Sequence, residues 1–239
     1  MAKKPALKIC GITRQSDLDA CVRLGVEYAG FNFYRGSTRY VQPEMAARLW
    51  NNRLNSKGPM GFTGPIRAAA VVVNPSRVEL QKMIEAFPEL EVIQFHGFEP
   101  DDLLLWAHKN LPKQKIWRAV PFESPRAVEQ AMQKNHGFPI ELLLIDAAGA
   151  KGGGNSQDVF GGSGHRFDWS SLLSIHQTIP IGIAGGIRPE LIESLMTICD
   201  RLDCRLIDLA SGVELEPGIK DEALIERVVA RISAGAICV

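Results

Sequence analysis

Eight short apolar runs recur along the 239 residues, and each is followed by a polar turn and then a stretch with helical spacing. That alternation constrains the fold more than any other feature. The runs are Leu7–Ile12, Tyr28–Phe33, Ile66–Val73, Leu90–His96, Lys115–Pro121, Ile140–Asp146, Ile179–Gly186 and Cys204–Ala210. The intervening stretches place apolar residues three and four apart, as in Arg77–Phe87, Arg126–Asn135, Pro189–Cys199 and Asp221–Ile232. Ser76 precedes one of them as a helix cap, and Pro43, Pro125 and Pro189 stand near first helical turns. Strand and helix in strict alternation imply parallel strands joined by right-handed crossovers. An open doubly wound sheet is the alternative, but eight units in a chain this short favour closure into an α/β (β/α)₈ TIM barrel. Residues 1–239 then form a single domain.

A barrel places its chemistry at the C-terminal ends of its strands. Two turns there carry glycine: Gly185-Gly186 after the seventh run and Ser211-Gly212 after the eighth. Glycine lets backbone N–H groups approach a ligand with no Cβ in the way. Two such turns at successive strand ends predict a phosphate cup. Side chains alternate across a strand, so Lys8 and Cys10 share a face and are expected inside the barrel, while Leu7 and Ile9 face the helices. Polar residues late in other strands mark the same mouth: Asn32, Gln94 with His96, Arg118, Asp146 and Asp208. Asp146 ends an apolar run, where an unpaired carboxylate is costly. Structural roles remain open for some of these. Asp208 either caps a turn or pairs with Lys8, Arg118 either meets substrate or neutralises a buried carboxylate, and His96 is either structural or part of the site.

Composition narrows the partner. Lys plus Arg and Asp plus Glu both number 27, which gives no support for nucleic acid or an acidic membrane surface. No run reaches the roughly 18 apolar residues of a membrane span, and the N-terminus has no secretory apolar core. Cys10, Cys21, Cys199, Cys204 and Cys238 are odd in number and form no CxxC pair, which argues against disulfides and zinc and fits a reducing cytoplasm. Cys21, Cys199 and Cys204 are expected in the core, and His108, His136 and His176 at the surface. Asn55–Pro65 reads as a long loop. Ala147–His165, rich in glycine, reads as a lid following the sixth strand.

These residues resemble the phosphoribosylanthranilate isomerase family of tryptophan biosynthesis. The resemblance runs in order through Lys8-Ile-Cys-Gly-Ile-Thr13, Gly30-Phe-Asn-Phe-Tyr34 with Ser37-Thr-Arg-Tyr-Val41, Val72-Val-Asn-Pro-Ser76 and Ile93-Gln-Phe-His-Gly97. It continues through Leu144-Ile-Asp146, Gly161-Gly-Ser-Gly164 with Phe167-Asp-Trp169, Ile183-Ala-Gly-Gly186, Ala210-Ser-Gly-Val-Glu214 and Pro217-Gly-Ile-Lys-Asp221. It implies an Amadori rearrangement of an aminoaldose to an aminoketose, with no cofactor and no metal. Cys10 would be the general base and Asp146 the general acid. Arg39 would bind the anthranilate carboxylate, and Gly185, Gly186, Ser211 and Gly212 the phosphate. Lys8, His96, Gly162 and Gly164 would support them, Lys8 by favouring the Cys10 thiolate. The partner is a small phosphosugar, and the chain is a monomer or homodimer. Departures from the family pattern are Ala210, Phe98, Arg35-Gly36 and the longer segment from Ala147 to Gly161. The competing readings are a histidine-pathway aminoaldose–ketose isomerase, which carries aspartate where Cys10 stands, and a phosphosugar-binding barrel without this catalysis.

Overall fold

The computed structural model describes residues 4–53, 65–147 and 168–234. Eight parallel strands close into a barrel in chain order: β1 (Ala6–Cys10), β2 (Tyr28–Asn32), β3 (Arg67–Val72), β4 (Leu90–Phe95), β5 (Lys115–Pro121), β6 (Leu142–Asp146), β7 (Ile181–Ala184) and β8 (Cys204–Leu209). Closure is made by β1 pairing with β8, Lys8 opposite Asp208, and with β2, Cys10 opposite Gly30. Seven strands lie within their expected apolar runs, and β1 begins one residue earlier than expected, at Ala6.

The outer layer is α1 (Gln15–Leu24), α2 (Pro43–Asn51), α3 (Arg77–Ala86), α4 (Asp101–Asn110), α5 (Pro125–Asn135), α6 (Ile192–Cys199) and α7 (Glu222–Ala234). The helix-start signals act as the sequence predicts. Ser76 caps α3 in a reciprocal box with Glu79, and Pro43 and Pro125 occupy the first turns of α2 and α5. Two stretches differ. A 3₁₀ segment, Trp169–Ser174, fills the helix position before β7, and Pro189–Leu191 is a 3₁₀ turn leading into α6.

Alternation along the strands separates two apolar clusters. Leu7, Ile9, Phe31, Ile93, Leu143, Ile183 and Ile207 point outward and pack under the helices. Tyr28, Ala69, Val92, Trp117, Ala119, Leu142, Leu144 and Leu206 fill the interior. Lys8 is fully buried among the inward residues, as the alternation in β1 predicts. Cys21, Cys199 and Cys204 are buried, and burial pushes the Cys21 thiol up to about 12. His108, His136 and His176 are exposed. Cys238, all but the last residue of the expected loop Asn55–Pro65, and residues 148–167, with Gly162 and Gly164 and all but the first residue of the expected lid, lie outside the described residues.

After β8 the chain makes a short hairpin, β9 (Glu214–Glu216) with β10 (Ile219–Lys220), before α7. It is tied to the β1–α1 loop. Thr13 donates to the Gly218 carbonyl, Arg14 to the Lys220 carbonyl, and the Lys220 N–H to Asp17. The hairpin thereby places residues from the end of the chain against the C-terminal end of β1.

Candidate active site

One cleft at the C-terminal end of the barrel, about 680 Å³ and open to solvent, gathers residues from strands far apart in sequence. Its walls include Cys10, Arg39, His96, Asp146, Gly185, Gly186, Ser211 and Gly212, with Asn32, Gln94 and Asp208 also lining it.

On the β1 side, the Lys8 ammonium donates to Asp208 Oδ2 at 2.7 Å and Gln94 Oε1 at 2.8 Å, and its charge also acts on the Cys10 thiol. Burial opposes the charge on Lys8, but Asp208 and Cys10 outweigh it, and Lys8 titrates above its ordinary value. Of the two readings of Asp208, pairing with Lys8 is the one the structure shows. Asp208 Oδ1 is buried and has no hydrogen-bond partner among the described residues.

Lys8 does favour the thiolate, yet the net shift at Cys10 is upward. Burial is the largest effect, and Asp208 adds to it, while Lys8 and Lys220 oppose them. The Lys8 charge is shared with Asp208, which is why it does not prevail.

Lys220 is a second cation that sequence reasoning did not single out. Its ammonium bonds the Cys10 carbonyl at 2.5 Å, the Ala210 carbonyl at 3.2 Å and Glu214 Oε1 at 2.7 Å. Glu214 in turn grips Arg39 through Nε at 2.9 Å and Nη2 at 2.6 Å. Burial alone would raise the Glu214 carboxyl, but Arg39 and Lys220 hold it below the ordinary carboxylate range. The resemblance assigns the Arg39 fork to a substrate carboxylate. In the structure the Nε side of that fork belongs to Glu214, which leaves the Nη1–Nη2 edge for a ligand. The Arg35-Gly36 departure does not disorganise this turn. Ser37 Oγ takes the Arg39 N–H and the Asn32 amide, each at 3.1 Å.

On the opposite side, β6 delivers Asp146, whose Oδ2 lies 3.1 Å from His96 Nε2. His96 Nδ1 is 2.9 Å from the Gln94 amide nitrogen. Buried Glu99, also missed in the sequence, fixes the turn after His96 by accepting the Gly97 and Asn74 N–H groups at 2.9 Å. Phe98 projects outward, 58% exposed. His96 thus belongs to the site, not to the core alone.

The glycine turns adjoin both sides. Gly185 has φ +87°, and a Cβ there would stand 2.7 Å from Asp146 Oδ1 and 2.6 Å from the Ala147 nitrogen. A Cβ on Gly212 would lie 1.8 Å from the Ile187 carbonyl oxygen, so the two phosphate-candidate turns pack backbone to backbone. Ala210 contributes its carbonyl to Lys220, a contact that a serine hydroxyl is not needed to make.

One expected mouth residue is elsewhere. Arg118 points out of the barrel and donates to Asp101 at 2.9 Å, Asn135 at 3.0 Å and the Glu99 carbonyl at 3.0 Å. Its strand neighbours Trp117 and Ala119 take the inward positions. Arg118 joins α4 to α5, which is the carboxylate-pairing alternative.

The Cys10 thiol and the Asp146 carboxyl thus line one cleft together with the two glycine turns, whose backbone can approach a ligand closely. Residues 7–231 match the family model for N-(5'-phosphoribosyl)anthranilate isomerase. A protein of that name from Zymomonas mobilis subsp. pomaceae is 31% identical over 90% of this chain and 91% of its own. The Thermotoga maritima phosphoribosyl anthranilate isomerase structure superposes with a TM-score of 0.74 at 28% identity, covering 96% of this chain and 99% of that one. A phosphoribosyl anthranilate isomerase complex with reduced 1-(o-carboxyphenylamino)-1-deoxyribulose 5-phosphate gives 0.72 at 25% identity, covering 96% and 99%. Because the family match extends from the first strand into the last helix, this chain belongs to the N-(5'-phosphoribosyl)anthranilate isomerase family.

Proposed function

We propose that this enzyme converts N-(5-phosphoribosyl)anthranilate to 1-(2-carboxyphenylamino)-1-deoxyribulose 5-phosphate in tryptophan biosynthesis. The observation that carries the reading is the facing of Cys10 and Asp146 across one cleft whose rim is built from the two glycine turns. Asp146, protonated, gives its proton to the furanose ring oxygen, and the C1′–O bond breaks as the nitrogen lone pair forms a Schiff base. The Cys10 thiolate removes the C2′ proton, and its electron pair neutralises the iminium to an enolamine. Proton return to C1′ and loss of the hydroxyl proton complete the ketone. Positioned acid and base groups each contribute about 10²–10⁴-fold.

Backbone N–H groups at Gly185, Gly186, Ser211 and Gly212 suit the phosphate, and the free edge of Arg39 suits the anthranilate carboxylate. Lys8 and Lys220 ease thiolate formation when substrate arrives. Cys10 speaks against the histidine-pathway reaction, whose enzymes carry aspartate there. A single-domain enzyme acting on a small phosphosugar in the cytoplasm is consistent with the reduced cysteines and with the described helices, none of which is long and apolar enough to cross a membrane. The test is the loss of phosphoribosylanthranilate fluorescence on adding purified protein, run beside the histidine-pathway aminoaldose. Turnover of the first alone is expected. Turnover of neither, or of the second alone, contradicts the assignment.

A further inference from the structure

We infer that Gln94 is a positioning residue that locks His96 in its Nε2–H tautomer and so directs the proton on Asp146. The inference rests on Asp146 being the general acid. Lys8 can only donate, so the end of the Gln94 amide it meets at 2.8 Å is the oxygen. The NH₂ end must then face His96 Nδ1, 2.9 Å away. An NH₂ group has nothing with which to accept, so Nδ1 carries no proton. The ring proton is then on Nε2, which faces Asp146 Oδ2 at 3.1 Å. Reversing the amide would set NH₂ against ammonium inside the barrel, where Gln94 and Lys8 are both wholly buried. Buried donors left unmet in that way are strongly disfavoured.

The direction of every bond in the chain Lys8, Gln94, His96, Asp146 is therefore set at Lys8, the residue whose charge also acts on the Cys10 thiol. With Oδ2 accepting from His96, the transferable proton of Asp146 sits on Oδ1, the oxygen beside Gly185. In the other tautomer Nε2 would be a basic lone pair aimed at the carboxyl, competing with the sugar ring oxygen for that proton. Once the proton has left, Nε2–H stabilises the carboxylate that remains. Gln94 thus serves ring opening without touching substrate.

The experiment is a long-range ¹H–¹⁵N spectrum of the whole protein labelled at its five histidines, with His96 assigned by the signals lost in His96→Gln. In the unaltered protein His96 is expected as the Nε2–H tautomer. In Gln94→Leu the Nδ1 lone pair is released, so His96 should populate the Nδ1–H tautomer, with kcat down about tenfold and KM less affected. In Gln94→Glu a carboxylate replaces the amide donor, and Nδ1 should gain a proton. An Nδ1–H signal for His96 in the unaltered protein overturns the inference, and that measurement needs no variant to fold. A Gln94→Leu protein with an unchanged His96 tautomer overturns it as well. Because the tautomer is read without turnover, its failure is distinct from failure of the assigned reaction.

Discussion

At the level of single residues the site is a set of charges whose neighbours decide what they do. Cys10 is the clearest case. Burial raises its thiol, and two ammonium groups pull it back, so removing one should raise it further. Lys220→Met is expected to move the midpoint of Cys10 alkylation by iodoacetamide, followed against pH by peptide mass spectrometry, to higher pH. An unmoved or lower midpoint would show that Lys220 has no electrostatic hold on the thiol. Glu214 acts on the other ligand arm by gripping Arg39. Glu214→Gln weakens that grip, and one hydrogen bond to a charged group is worth about tenfold in affinity. A roughly tenfold rise in KM with little change in kcat is expected from steady-state kinetics. A KM equal to that of the unaltered enzyme would mean Arg39 needs no such support. Cys10, Asp146 and Lys8 are legible in the sequence because polar residues late in apolar strands have few structural reasons to be there. Lys220 and Glu214 are not, because a lysine in a Pro-Gly turn region looks solvated. Nothing local announces that a hairpin carries it to the end of β1.

Secondary-structure elements were legible wherever a period exceeds the noise of a few residues. The eight strands and the helix starts at Ser76, Pro43 and Pro125 follow from alternation and cap chemistry. The two-residue strand β10 is too short to show a period. Strand β5 is misleading for a different reason. Buried parallel strands are apolar on both faces, so alternation alone does not say that Trp117 faces in and Arg118 out. The choice is made by partners on α4 and α5 that come together only in the fold. The turns after β7 and β8 are likewise coupled to each other. Gly212→Ala would drive a methyl group into the Ile187 carbonyl, a backbone atom with no rotamer to yield. Destabilisation of at least about 2 kcal/mol in urea titration is expected, together with weaker binding of inorganic phosphate. A variant as stable as the parent would show that the two turns can separate freely.

For the whole molecule, closure of the barrel is what makes one site out of distant segments. Pairing of β1 with β8 sets Lys8 against Asp208, and β4 and β6 bring His96 and Asp146 together on the same rim. The hairpin then folds back so that the last strands support the first. In the proposed reaction Cys10 and Asp146 are the base and the acid. Single-turnover fluorescence with enzyme in excess tests this most directly, because it removes product release from the observed rate. Cys10→Ser and Asp146→Asn should each slow the single turnover by at least about 10²-fold while still binding the reduced product analogue. A Cys10→Ser or Asp146→Asn rate within a few-fold of the unaltered enzyme would contradict it.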